Sequence, residues 1–92
     1  MSVKVRLIGD LRRFVDSEAL KIGREGCSLG VALDELARLY PRLGAELFDG
    51  QGRLHYAVVF TIDGRRAIWP DDKDRLIEDG GELMLTRFHS GG

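Results

Sequence analysis

Residues 79–92, which read DGGELMLTRFHSGG, decide the fold prediction. An aspartate followed by two glycines at positions 79–81 is typical of a tight turn. The residues that follow, 82–88, are apolar enough to predict a strand that leads out of this turn. Residues 89–92 are too polar and too rich in glycine to pack, so we expect them to project as a C-terminal tail.

The N-terminal residues predict two further strands. Apolar and charged residues alternate over residues 3–7, which indicates a strand with one buried face. Residues 11–16 form a connector that Leu11 and Phe14 can anchor, and residues 19–22 are expected to return as a second, antiparallel strand. Because this connector is longer than a tight hairpin turn, the pattern leaves its geometry open.

A single amphipathic helix is predicted next. Ser28 is a good N-cap residue. After it, apolar residues recur at steps of four, three and four, which places them on one helix face: Leu29, Leu33, Leu36 and Tyr40. Pro41 is expected to end the helix, and residues 43–48 to form only a short extra turn.

The second half of the chain predicts the rest of a sheet. After a polar loop at residues 49–52, the nearly continuous apolar run at 56–62 indicates a central strand covered on both faces. Asp63-Gly64 is a hairpin dipeptide, residues 66–68 return as a short strand, and residues 69–77 form a charged connector. The order strand, strand, helix, strand, strand, strand predicts an α+β fold with one main helix across a mixed sheet.

Composition excludes several classes of function. The 92 residues suit one domain. Fourteen basic and fifteen acidic residues give a net charge of −1, so neither nucleic acid nor an anionic membrane is an expected partner. No apolar run approaches the roughly 20 residues that cross a bilayer, and residues 1–6 lack the apolar stretch of a signal peptide. A single cysteine, Cys27, excludes an internal disulfide and favours a reducing compartment, so we expect a cytoplasmic location.

The C-terminal tail holds the predicted site. Gly91 and Gly92 lack Cβ atoms, so they can enter a narrow channel and adopt backbone angles that are closed to other residues. The Gly92 carboxylate would be presented at the end of this unhindered thread, with Ser90 just before the glycines. On glycine content alone, a disordered end without a function is the alternative interpretation.

Three segments of the sequence resemble one family of small proteins. IDGRR at residues 62–66 is similar to the central hairpin of the ubiquitin-like sulfur carriers, and DGGELML at 79–85 to their last turn and strand, with Gly81 where a second aspartate is usual. SGG at 90–92 is similar to their tail. The family includes the small subunit of molybdopterin synthase (MoaD) and the thiamine-pathway carrier (ThiS). The resemblance covers essentially the whole chain and implies a ubiquitin-like β-grasp domain at residues 1–88 with a flexible tail at 89–92.

The resemblance also implies a carrier protein rather than an enzyme, without a cofactor of its own. An E1-like adenylating enzyme would use Mg-ATP to form an acyl-adenylate at Gly92, and a sulfur donor would displace AMP to leave a thiocarboxylate. A synthase large subunit or another acceptor enzyme would then use this sulfur in cofactor or metabolite biosynthesis. The chain is longer than typical thiamine-pathway carriers, mainly at residues 42–55, which favours the molybdopterin pathway.

Two other functions share these features. A protein modifier of the same fold would join Gly92 to lysines through an isopeptide bond. A non-catalytic interaction domain would use the β-grasp fold only for docking. The sequence contains no nucleophile–base pair, phosphate loop or dinucleotide fingerprint, which argues against an enzyme that acts alone.

Apolar side chains of the predicted central and last strands are candidates for contacts with a partner: Val58, Phe60, Met84 and Phe88. If one face of the sheet keeps apolar residues in water, that face is a partner-binding patch.

Three other residues are not expected to have a chemical role. His55 and His89 have no cysteine or carboxylate at a spacing typical of metal ligands, so no metal site is expected. Cys27 precedes the helix and is interpreted as a packing residue rather than a reactive thiolate.

Overall fold

The computed structural model describes residues 2–15, 20–55 and 57–87. The strands within these ranges are β1 (Ser2–Leu7), β2 (Leu20–Arg24), β3 (Gly26–Ser28), β4 (Val58–Ile62), β5 (Arg65–Ala67), β6 (Leu76–Glu78) and β7 (Glu82–Arg87). The helices are a 3-10 helix (Gly9–Phe14), α1 (Leu29–Leu39) and α2 (Pro41–Leu47). The predicted α+β fold is confirmed.

Five of the strands form one mixed sheet. Its order is β2-β1-β7-β4-β5, and β3 pairs with β6 in a separate two-stranded sheet. β1 and β7 run parallel, whereas the other neighbouring pairs of the large sheet run antiparallel. β7 is therefore the central strand.

The prediction of a central strand at residues 56–62 is wrong. β4 lies one place from the edge of the sheet, and its residues alternate between buried and half-buried. The apolar run was misleading because Val59 and Thr61 lie on the face opposite to the buried residues. A β-branched side chain suits a half-exposed strand position as well as a core position.

The hydrophobic core joins one face of the large sheet to the two α-helices. Alternate residues of the strands are buried in it, among them Val5, Phe60 and Leu85, as the period of two along a strand requires. The helices contribute the buried residues Leu29, Ala32, Leu33, Leu36, Leu43 and Leu47. The predicted connector after β1 is anchored in the same core, because Leu11 is buried and Phe14 packs against it.

Helix α1 begins as predicted. The Ser28 Oγ accepts a hydrogen bond from the Val31 N–H at 3.2 Å, which is the expected N-cap contact. The N–H groups of the first two helical residues, Leu29 and Gly30, donate to the backbone carbonyls of residues 75 and 73, respectively. The N-terminus of α1 is therefore satisfied by the protein itself and does not offer an anion site.

The segment after Pro41 is a true helix instead of the predicted short turn. Pro41 occupies the first turn of α2, where its missing N–H has no partner to lose. Gly44 lets the two helices approach closely, since a Cβ at this position would lie 2.8 Å from the Ala37 Cβ. Pro41 follows the end of α1, as predicted, but it also begins α2.

The small sheet of β3 and β6 was not predicted. Residues 26–28 pair with residues 76–78 across a long separation in sequence. In β6, Ile77 is fully buried while Leu76 is 62% exposed. Three alternating residues inside a charged segment are too short a pattern to reveal a strand.

The turn that precedes β7 is locked to the β4–β5 hairpin. Asp63 has φ of 51°, and its Oδ1 accepts a hydrogen bond from the Glu82 N–H at 2.9 Å. The Asp63 N–H donates back to the Glu82 carbonyl, also at 2.9 Å. A Cβ at Gly81 would lie 2.9 Å from the Glu78 carbonyl oxygen, which explains why glycine stands there. The Asp63-Gly64 hairpin turn and the turn at residues 79–81 therefore form one structural unit.

Candidate functional site

The predicted tail lies outside the residues that the structure describes. This applies to Gly92, Gly91 and Ser90, to Phe88 among the predicted partner contacts, and to His89. The described part of the site is therefore the point from which the tail departs, which is the C-terminal end of β7.

This end of β7 is supported on both sides. Arg87 pairs with Val58 of β4, and the Leu85 carbonyl accepts a hydrogen bond from the Ile8 N–H at 2.9 Å on the β1 side. A strand with two neighbours holds its direction better than an edge strand, because both rows of backbone groups are paired. Residues 88–92 thus start from a fixed place in the fold.

Arg87 is the most heavily bonded side chain at this end. Its Nη2 donates to Asp10 Oδ2 at 2.5 Å, and its Nη1 donates to Glu46 Oε1 at 2.8 Å. The side chains of Arg87, Asp10 and Glu46 are 12%, 23% and 37% exposed. The hydrogen bond to Asp10, followed by that to Glu46, raises the pKa of the Arg87 guanidinium above its ordinary value. We call these three residues the Arg87 clamp.

The clamp connects three elements that are far apart in sequence. Asp10 belongs to the 3-10 helix after β1, Glu46 to α2, and Arg87 to β7. The buried Arg87 Nε has no hydrogen-bond partner. An unsatisfied buried donor costs about 1–3 kcal/mol, so part of the gain from the two ion pairs is lost.

The sequence prediction missed the clamp, although one signal for it exists. Leu83 and Leu85 are buried, and the period of two places Arg87 next on the same side of β7. A charged residue at such a position needs partners. Nothing in the sequence identifies those partners, because Asp10 and Glu46 lie 77 and 41 residues away.

The open face of the sheet contains one of the predicted partner contacts. Met84 is half-buried, with Arg6 beside it on β1 and Thr61 beside it on β4. Basic side chains are exposed on the neighbouring strand positions of this face: Lys4, Arg6, Lys21 and Arg66. This face therefore has the half-buried Met84 at its centre and basic residues around it. The acidic Glu82 lies on the same face.

Two predicted partner contacts are wrong. Val58 and Phe60 are only 6% and 1% exposed. Both point to the helix-covered side, because the residues opposite them in register include Leu85, which is itself in the core. Neither side chain can reach a partner without opening the core.

The other side chains considered in the sequence have structural surroundings. Burial and then the nearby Glu35 raise the pKa of the Cys27 thiol, which favours the neutral form. Cys27 also packs against the core, as the interpretation of a packing residue requires. The His55 Nδ1 accepts a hydrogen bond from the Ala57 N–H at 3.4 Å.

Residues 2–15, 20–55 and 57–87 contain neither a candidate metal site nor a candidate membrane span. No group of three or more histidine, cysteine, aspartate or glutamate residues there could hold a metal ion. No helix within these ranges is long and apolar enough to span a bilayer.

The sequence and the fold were compared with those of known proteins. No protein-family model matches the sequence, and no curated protein matches it significantly. Among solved structures, SAMP1 from Haloferax volcanii is 26% identical, with a TM-score of 0.84 and coverage of 100% of both chains. The small archaeal modifier protein 1 (SAMP1) from Methanosarcina acetivorans is 24% identical, with a TM-score of 0.82, over 99% of this chain and 96% of that one. CysO from Mycobacterium tuberculosis is 19% identical, with a TM-score of 0.75, over 95% of this chain and 99% of that one.

The last two matches, at lower identity, show the fold alone. The match to SAMP1 from Haloferax volcanii spans both chains completely and agrees with the resemblance found in the hairpin, turn and tail segments. The mixed sheet with a helix across it is the β-grasp arrangement. The chain is thus similar over its whole length to structures of ubiquitin-like sulfur carriers and protein modifiers, and it shares their β-grasp fold.

Proposed function

We propose that the protein is a sulfur carrier whose Gly92 carboxylate is activated by an E1-like adenylating enzyme. The observation that carries the proposal is the end of β7. The described part of this central strand of a SAMP1-like fold reaches Arg87, and Gly92 lies five residues further along the chain. Five extended residues span at most about 17 Å. That reach lets the terminus enter an enclosed site while the folded domain stays docked outside it.

The chemistry needs only the terminal carboxylate from this chain. A Gly92 oxygen attacks the α-phosphorus of Mg-ATP, and pyrophosphate leaves with the electron pair of the broken P–O bond. Hydrosulfide then attacks the carbonyl carbon of the acyl-adenylate, and AMP leaves because it is a far better leaving group than a free carboxylate oxygen. After loss of the S–H proton, a thiocarboxylate remains. The activating enzyme supplies the metal, the nucleotide and the exclusion of water.

The residues of this chain position the reactive group. Gly91 and Gly92 lack side chains that would block a narrow channel, and Ser90 continues this slim profile. Met84 and Phe88 are the proposed apolar contacts with the enzyme. The exposed basic residues around Met84, among them Arg6, favour an acidic partner surface, because opposite charges steer and orient the encounter.

We further propose a cytoplasmic location and a role in the molybdopterin pathway, with a synthase large subunit or another acceptor enzyme as the second partner. The single cysteine supports the location. The length of the chain around residues 42–55, where α2 lies, supports the pathway. Loss of the pathway product after deletion of the gene would test this assignment.

The sulfur-carrier function is tested by intact mass spectrometry. After incubation with the activating enzyme, Mg-ATP and sulfide, we expect the carrier mass to rise by about 16 Da, the difference between sulfur and oxygen. A chain that lacks Gly92 should show no rise and keep its thermal stability. Sulfur uptake by this shortened chain would exclude the proposal.

The name of SAMP1 favours a second candidate function, that of a protein modifier. It shares the adenylation step but ends in an isopeptide bond between Gly92 and a lysine. Trypsin cleaves after Arg87, so a conjugated lysine would carry the remnant FHSGG, residues 88–92. Mass spectrometry of cell extracts for this remnant distinguishes the two functions, with a Gly92-deleted strain as the control.

An interaction domain without tail chemistry remains the third alternative. Replacing Gly91 and Gly92 with alanine should abolish both sulfur transfer and conjugation. If every activity and partner survives the replacement, the domain acts by docking alone.

A further inference from the structure

We propose that the Arg87 clamp positions the base of the C-terminal tail for adenylation. The inference rests on the proposed sulfur-carrier or modifier function, since both begin with adenylation of Gly92. Arg87, Asp10 and Glu46 would be positioning residues, because they touch neither ATP nor the reacting carboxylate. Their role would be to fix the position and direction of the chain at Arg87, the residue before the C-terminal tail.

The first argument is the place of the clamp in the chain. Arg87 is the last described residue of β7, and its pairing with Val58 is the last described one in the β4–β7 ladder. The terminal pair of a strand opens more easily than an internal pair. The guanidinium prevents this opening by attaching the same residue to the 3-10 helix through Asp10 and to α2 through Glu46.

The second argument is the geometry of the two ion pairs. Asp10 and Glu46 accept from different terminal nitrogens of one planar guanidinium. Two acceptors on separate elements define the orientation of the plane, whereas one acceptor would leave it free to rotate. The direction of the backbone at Arg87 is therefore specified by elements on both sides of the strand end.

The third argument is that the packing at this position does not require an arginine. An apolar side chain would continue the buried side of β7 after Leu83 and Leu85. The arginine instead leaves its buried Nε without a partner. Because Arg87 retains an unsatisfied donor, its presence is better explained by a role in orienting the end of β7 than by a contribution to the stability of the fold.

The consequence for activation is kinetic. Once the domain is docked, the rate of adenylation depends on the fraction of time that Gly92 spends in the ATP site. This fraction falls as the range of positions open to Gly92 widens. Loss of the clamp would loosen the described end of β7 and so widen the range of positions open to Gly92. The rate at saturating carrier should then fall, while the affinity of the docked face stays the same.

The test is ATP–pyrophosphate exchange by the activating enzyme with the full-length carrier. For Arg87→Met, we expect kcat to fall about tenfold with KM for the carrier within about twofold of wild type. Arg87→Lys, which can keep one of the two ion pairs, should recover part of the loss. Backbone amide exchange at residues 86 and 87 should become about tenfold faster in Arg87→Met.

Two matched controls separate positioning from general effects. Arg38→Met removes an arginine from the exposed ion pair with Glu35 on α1 and should leave both kinetic constants unchanged. Ile22→Val loosens the core under β2, at the far edge of the sheet, and should lower stability without lowering kcat.

A second variant distinguishes the clamp from a direct contact between Arg87 and the enzyme. The double variant Asp10→Ala/Glu46→Ala keeps the guanidinium but removes both acceptors, and it should lose as much kcat as Arg87→Met. If it does not fold, Glu46→Ala alone, at the more exposed partner, should give an intermediate loss. A wild-type kcat in these variants, or in Arg87→Met, would overturn the clamp. Absence of exchange with the wild-type carrier would instead overturn the proposed function.

Discussion

The start of β7 is held by backbone and short side-chain contacts, whereas its end is held by long charged side chains. At the start, the Lys4 N–H donates to the Gly81 carbonyl at 2.9 Å, and Asp63 exchanges two hydrogen bonds with Glu82. At the end, the guanidinium of Arg87 reaches Asp10 and Glu46. One central strand therefore carries two different kinds of attachment.

The difference has a physical meaning. Backbone contacts around a glycine leave no room for adjustment, so the start of β7 is a rigid part of the fold. Ion pairs of a mostly buried arginine contribute little net stability, because desolvation offsets much of the attraction, but they impose a defined geometry. We therefore expect substitutions at the start to reduce stability, and substitutions at the end to reduce the rate of activation.

The largest effect on stability is expected for Gly81→Ala. The new Cβ would lie 2.9 Å from the Glu78 carbonyl oxygen, which is backbone and cannot move aside easily. We expect a loss of about 2 kcal/mol in the free energy of unfolding, measured by urea denaturation. The matched control is Gly50→Ala, because a Cβ at that loop position meets nothing within 4 Å. If Gly81→Ala leaves the free energy of unfolding unchanged, the start of β7 is not a rigid part of the fold.

A smaller loss is expected for Asp63→Ala. The change removes the acceptor for the Glu82 N–H and leaves alanine at a φ of 51°, which aspartate and asparagine tolerate better. We expect a loss of about 1.5 kcal/mol for alanine. Asp63→Asn keeps an acceptor oxygen and should lose less than about 0.5 kcal/mol. Equal losses for the two variants would show that the carboxylate charge, and not the hydrogen bond, holds the turn.

Local signals in the sequence predicted the elements with local causes. Ser28 and the apolar spacing after it predicted α1, and the turn at residues 79–81 predicted β7. Their determinants lie within a few residues of the elements themselves, where a pattern can reveal them. The resemblance of the hairpin, turn and tail segments then predicted the β-grasp arrangement.

Apart from the error at α2, the errors have a common cause, since each depends on contacts between distant segments. β6 has only three residues and exists because β3 lies beside it. The central place in the sheet belongs to β7 and not to β4, because β1 pairs in parallel with β7. A strand alone does not reveal how many neighbours it will have.

The candidate site also has one part that the sequence predicts and one part that it does not. The Gly-Gly terminus could be proposed from the sequence because its chemistry resides in the last residues alone. The clamp could not, because its three members are brought together only by the packing of the 3-10 helix and α2 beside β7. Val58 and Phe60 were assigned to a partner surface because residue type does not reveal which sheet face the helices cover.

The smallest effect on stability is expected for Arg87→Met, whose main expected effect is on the rate of activation. Removing the guanidinium leaves the carboxylates of Asp10 and Glu46, which are 23% and 37% exposed, so water can reach the exposed oxygens of both, although Asp10 Oδ1 is buried. It also removes the unsatisfied buried Nε. These two effects offset the lost ion pairs, so we expect a change of less than about 1 kcal/mol in urea denaturation. For a domain of this size, that corresponds to at most about 6 °C in Tm. A loss as large as that of Gly81→Ala would mean that Arg87 holds the fold together, and the two ends of β7 would then differ in their contacts but not in their role.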